Sequence, residues 1–102
     1  MTTQIAIGKT KAKKTARAMR IWIEGAKPAK AGFIPNATYT VDLSGQTVTL
    51  KLDPNGPRKV TGANRDGKPR PIIDLHCQQI ASAFSDGQAL TVTYDMGIIT
   101  IA

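Results

Sequence analysis

FIPNATYTVDLSGQTVTL, residues 33–50, is answered 51 positions later by FSDGQALTVTYDMGIITI, residues 84–101. The two stretches align without a gap. Phe33 meets Phe84; Tyr39, Val41 and Leu43 meet Leu90, Val92 and Tyr94; Val48 and Leu50 meet Ile99 and Ile101. Literal matches are few (Phe33/Phe84, Thr40/Thr91, Val41/Val92, Thr49/Thr100), so the likeness lies in the apolar pattern. Each stretch alternates apolar and polar residues with a period of two, the mark of a half-buried strand. Each alternation is broken by a tight turn, Ser44-Gly45 or Asp95-Met96-Gly97, which reads as a hairpin. A small unit written twice implies one shared interior, because neither half alone could bury enough apolar surface.

Working outward, the order of segments also repeats. Gln4–Ile7 is β-capable, and Gly8–Ala18 is a basic run of Lys, Thr and Ala that reads either as a hairpin connection or as the start of a helix. Arg20–Glu24 is a strand with Ile21 and Ile23 on one face. Ala26–Gly32 is a short helix, with Pro28 in its first turn and Gly32 at the left-handed C-terminal position. Asp53-Pro-Asn-Gly-Pro57 is the strongest break in the chain. Beyond it, Arg58–Thr61 is a strand, Gly62–Pro69 a polar loop, Ile72–Leu75 a strand and Cys77–Phe84 a second short helix with apolar residues at helical spacing. The expected fold is mainly β with two short helices (α+β): a single domain over 1–102, built from tandem β-β-α-β-β halves at 1–52 and 58–102 joined by turn 53–57.

The chain of 102 residues carries 14 Lys and Arg against seven Asp and Glu, a net charge of +7. The excess sits in two places. Residues 1–20 hold Lys9, Lys11, Lys13, Lys14, Arg17 and Arg20 with no acid; residues 58–70 hold Arg58, Lys59, Arg65, Lys68 and Arg70 against Asp66. At the 51-residue offset Lys14 falls on Arg65 and Arg17 on Lys68. Paired basic segments favour a polyanion, above all nucleic acid. No apolar run is long enough to span a membrane, and one cysteine, Cys77, cannot form an internal disulfide. A cytoplasmic protein, monomeric or homodimeric and without membrane contact, is expected.

The strand Arg20-Ile-Trp-Ile, the helix end Ala31-Gly-Phe33, the turn Pro35-Asn36 and the hairpin Tyr39–Leu50 resemble the DNA-binding half-barrel of the AbrB/MazE-like swapped-hairpin superfamily, SymE-like proteins in particular. Ile72–Leu75, Ala83-Phe84, Asp86-Gly87, Leu90–Val92 and Ile98–Ile101 repeat the resemblance. It implies a pseudo-two-fold swapped-hairpin barrel, with Lys13, Lys14, Arg17 and Arg20, and Arg65, Lys68 and Arg70, facing DNA. Arg58–Gly62 and Pro71–Leu75 are also similar to segments preceding some phage-type cytosine-5 DNA methyltransferases, although no catalytic motif of that family is present.

Other chemistry finds little support. Gly8-Lys9-Thr10 copies the end of a phosphate-binding loop, but Thr3 stands where its first glycine belongs. His76 and Cys77 are adjacent and lack a second ligand pair, so no metal site is expected. Glu24 and Asp74 precede the two helices and are read as N-terminal caps. Trp22 is expected in the core; exposed, it could stack on a base. The preferred function is a small DNA-binding regulator or DNA-targeting module, with no enzymatic activity and no cofactor. Two alternatives use the same charges: a phage-encoded inhibitor that binds a protein partner in a host nucleic-acid-processing defence complex, and a SymE-like RNA-acting toxin.

Overall fold

A computed structural model describes residues 4–102, all side chains included except those of residues 63–65 and 69. Nine antiparallel strands form one sheet: β1 (Gln4–Lys14), β2 (Met19–Glu24), β3 (Thr38–Ser44), β4 (Thr47–Leu52), β5 (Arg58–Lys59), β6 (Thr61–Arg65), β7 (Lys68–Cys77), β8 (Ala89–Asp95) and β9 (Ile98–Ile101). Their order is β5-β3-β4-β9-β8-β1-β2-β7-β6. The two terminal members of that order, β5 and β6, are separated in the chain by Val60 alone. The sheet therefore curls until its ends nearly meet, a nearly closed barrel that leaves little unpaired strand edge.

The alternating segments pair as the hairpins they predict, β3 with β4 from Tyr39↔Leu52 to Ser44↔Thr47 and β8 with β9 from Val92↔Ile101 to Asp95↔Ile98. The interior comes from contacts between the two halves of the chain. β2 pairs with β7 (Ile21↔Leu75, Glu24↔Ile72), and β4 pairs with β9 (Val48↔Ile101, Leu50↔Ile99). Shifting by 51 residues and exchanging partners turns the first pair of each ladder into the second. Met19, Ile21, Phe33, Val48, Leu50, Val60, Ile73, Leu75, Ile80, Ile99 and Ile101 are all fully buried, and no polar side chain is buried among the described residues. Each such aliphatic side chain contributes about 1.5–3 kcal/mol by leaving water.

Among the described residues, helical structure is almost absent. α1 (Ala26–Lys30) is five residues long, with Gly25 (φ 105) as its N-cap and no side-chain cap. Gly32 takes the expected left-handed conformation (φ 92). The second helix expected over 77–84 does not form. Cys77 ends β7 instead, paired with Met19, and the rest is a set of turns held by Ala81 N–H to Gln78 C=O and Ala83 N–H to Ile80 C=O. A helix this short repays little of its nucleation cost, whereas the ladder gives Cys77 a strand partner at once. Its apolar residues Ile80, Ala83 and Phe84 still reach the core.

The basic run 8–18 is a hairpin. β1 extends to Lys14, and Thr15–Ala18 make the turn, closed by Thr15 N–H to Ala18 C=O. The polar stretch 62–69 is also no loop; it forms most of the β6–β7 hairpin, turned at Asp66 (φ 52) and Gly67 (φ 74). That turn is two residues shorter than the first. With Ile21 set on Ile72, Ala12 falls on Thr61, an offset of 49, so Lys14 falls on Ala63 and not on Arg65. Gly62 has φ 109, and a Cβ there would collide with the carbonyl of Arg70.

Core and surface isoleucines separate cleanly. Ile99→Ala should cost about 2–5 kcal/mol in urea unfolding by lost burial and a residual cavity. Ile7→Ala, at a side chain 49% exposed, should cost less than about 0.5 kcal/mol.

Candidate nucleic-acid interface

β1 changes partner along its length. Ile7 to Lys11 pair with β8 (Ile7↔Thr93, Lys9↔Thr91, Lys11↔Ala89), and Ala12 to Lys14 pair with β2 (Ala12↔Ile21, Lys13↔Arg20, Lys14↔Met19). Ala12 is buried, so the odd-numbered neighbours face out. Lys9, Lys11 and Lys13 therefore form one exposed row, with successive members about 6.8 Å apart on an extended strand. Lys13 lies opposite Arg20, and Arg20 opposite His76, which continues the row over three strands. Lys14 and Arg17 stand exposed at the hairpin tip. The tip is tied down twice: Lys14 N–H donates to Asp86 Oδ1 (2.8 Å), and Thr15 Oγ1 lies 3.0 Å from His76 Nε2.

The second basic group is not beside the first. In the β2–β7 ladder, Met19↔Cys77 adjoins the first hairpin tip, and Glu24↔Ile72 marks the far end. Lys68 and Arg70 lie beyond that far end, on the even-numbered, outward side of β7, both exposed. β7 is ten residues long, about 30 Å, so the two groups occupy opposite ends of one outer sheet surface. The side chain of Arg65 lies outside the described residues. Arg58 and Lys59 are on β5, joined to β6 through Val60 where the two ends of the sheet nearly meet. Arg58 is half-buried opposite Tyr39, whose hydroxyl is pushed up by burial against the opposing pull of the Arg58 charge.

Arg20 is not a free cation. Its Nε donates to Asp74 Oδ1 (2.8 Å) and its Nη2 to Asp74 Oδ2 (2.7 Å), and its guanidinium carbon sits 5.6 Å from the centre of the Trp22 ring. Asp74, expected as a helix cap, is instead the bidentate partner of Arg20 on the neighbouring strand. Glu24, the other expected cap, is exposed at the end of β2, and α1 has no acid in its first turn. Trp22, expected in the core, is 42% exposed on the outer face. The strand parity that buries Ile21 and Ile23 forces Trp22 outward. Among the described residues, no three His, Cys, Asp or Glu side chains come together as a metal site, and no helix is long and apolar enough to cross a membrane.

The hydrogen bonds from Arg20 hold the Asp74 carboxyl below the ordinary carboxylate range. A depressed value means that the pair stabilises the fold fully above the unfolded carboxylate value of about 3.9. The contribution fades as pH falls through the lowered folded value. An NMR titration should find Asp74 ionising below the ordinary carboxylate value of about 3.9, and Arg20→Gln should move its midpoint upward. An unchanged midpoint in the variant would remove Arg20 as the cause.

Comparison with protein-family models, with curated proteins and with solved structures gave no match for the chain.

Proposed function

We propose that the protein binds nucleic acid, duplex DNA foremost, through the outer face of β1 and β2 and the hairpin tip between them. The observation that carries this reading is the exposed cationic row of Lys9, Lys11 and Lys13 on β1, with Lys14 and Arg17 exposed at the hairpin tip beyond it, in a segment without a single acid. Five positive charges on one strand and one tight turn would release counterions from a phosphate backbone. Arg20, already held by Asp74, orients the neighbouring surface, while the lysines make the phosphate contacts. Lys68 and Arg70, at the other end of the same surface, extend the footprint along the nucleic acid.

The barrel is read here as a pseudo-two-fold swapped-hairpin unit of the AbrB/MazE-like kind, with both half-barrels on one chain. In support, the β2–β7 and β4–β9 ladders both obey the 51-residue exchange. A regulator or DNA-targeting module built this way would need no second chain to complete its barrel.

Salt decides the matter. Affinity for a duplex should fall steeply with rising salt, and Lys11→Gln with Lys13→Gln should make the log–log slope shallower by about 2, near 0.9 for each lost phosphate contact. Binding that ignores salt, or a slope unaltered by the double substitution, would refute the assignment of this face.

A further inference from the structure

The partner change of β1 opens a cleft. N-terminal to Ala12 the strand follows β8, while β2 follows β7, and the two splay apart. Two side chains span the gap: Thr10 Oγ1 donates to the Trp22 carbonyl (2.8 Å), and Lys27 Nζ donates to the Ile7 carbonyl (2.7 Å). The resulting cleft of about 410 Å³ is lined by Gly8, Lys9, Trp22, Glu24, Lys27 and Tyr94, among others. Its size lies within the range of about 300–1,000 Å³ usual for small-molecule sites. A Cβ on Gly8 would stand in the cleft at ordinary contact distance, 3.4 Å from the Tyr94 ring and 3.5 Å from the Lys27 stem.

We infer that this cleft is a nucleobase subsite in which an unstacked base packs on Trp22, its phosphate lying between Lys9 and Lys27. The inference rests on the nucleic-acid reading above and specifies where a base, as distinct from the backbone, is held. Three features point to a base. Trp22 is a large apolar side chain kept 42% exposed. Its ring is braced by Arg20, itself fixed by two hydrogen bonds to Asp74, and Arg20 does not line the cleft. An indole so braced is a stacking platform that loses little freedom on binding. Lys9 and Lys27 supply positive charge at the rim, and Lys27, with one N–H committed to Ile7, keeps two for a phosphate. Glu24 repels a bare phosphate from the interior and accepts a hydrogen bond from a ring or exocyclic N–H of a base.

Trp22 is the one tryptophan of the chain, so its emission reports the site directly. The parent protein is titrated with a single-stranded (dA)10 decamer, with dAMP, and with linear polyphosphate as a polyanion without bases. The decamer should quench Trp22 emission at least about twofold by stacking, and polyphosphate should leave it nearly unchanged while competing for the lysines. Quenching by dAMP to the same plateau would assign the cleft to free nucleotides, and quenching by the decamer alone would assign it to a strand; either supports a base. By anisotropy of a labelled decamer, Trp22→Ala should weaken binding about tenfold and Trp22→Phe should restore most of it. The unfolding midpoint of both variants should match the parent. Equal quenching by polyphosphate, absence of quenching by the decamer, or parent-like affinity in Trp22→Ala overturns the subsite. Duplex binding with the expected salt slope but no quenching by the decamer sinks the subsite alone; loss of that slope sinks the wider reading.

Discussion

The pairing of β2 with β7 and of β4 with β9 is the constraint on which the rest of the structure depends. These ladders bring Met19, Ile21 and Ile23 against Ile73, Leu75 and Cys77, and Val48 and Leu50 against Ile99 and Ile101. Because side chains alternate, the same register that buries the isoleucines sends Arg20, Trp22, Asp74 and His76 outward. A slip of β2 by one residue would turn the Arg20 guanidinium and the Glu24 carboxylate inward and expose Met19, Ile21 and Ile23. The charged outer surface is therefore a by-product of how the interior is packed.

From that ladder follows the divided course of β1. Ala12 fits against Ile21 and is buried, but nearer the N-terminus β1 is drawn to β8, with Gly8 opposite Val92 and Thr10 opposite Leu90. One strand serving two neighbours must leave a gap between them, and in this protein that gap is lined by Trp22, Lys9 and Lys27. The lysine row and the cleft are thus two consequences of one backbone course. Arg20 changes its meaning in this setting. By charge count it is one more cation, but with Asp74 in a two-bond fork its charge is largely answered, and it braces the indole beside it.

Much of the fold was legible from local pattern. The two C-terminal hairpins, β3–β4 and β8–β9, follow from strict alternation interrupted by glycine turns, and the break at 53–57 follows from Pro and Gly, with Asn55 N–H bonded to Asp53 Oδ1 as its turn chemistry requires. Less legible was β1, whose Lys, Thr and Ala residues carry no apolar alternation; its extended form is imposed by the β8 edge beside it. The segment 77–84 has helical spacing but too few residues to nucleate, and its apolar side chains are claimed by the core as turns. Asp74 and Glu24 looked like caps because position relative to a helix is visible along the chain, whereas a partner 54 residues away, as Arg20 is to Asp74, is not.

The amino-acid order by itself determined the β-rich class, the repeated 51-residue pattern and the concentration of positive charge near the N-terminus. These are matters of period, composition and turn chemistry, which act over a few residues. Tertiary structure alone decided that the lysines form a row, that the two basic groups lie at opposite ends of one sheet, that Arg20 is paired and that Trp22 faces solvent beside an open cleft. Strand partners are chosen by burial across the whole chain, and that long-range choice leaves no mark in any short window of the sequence.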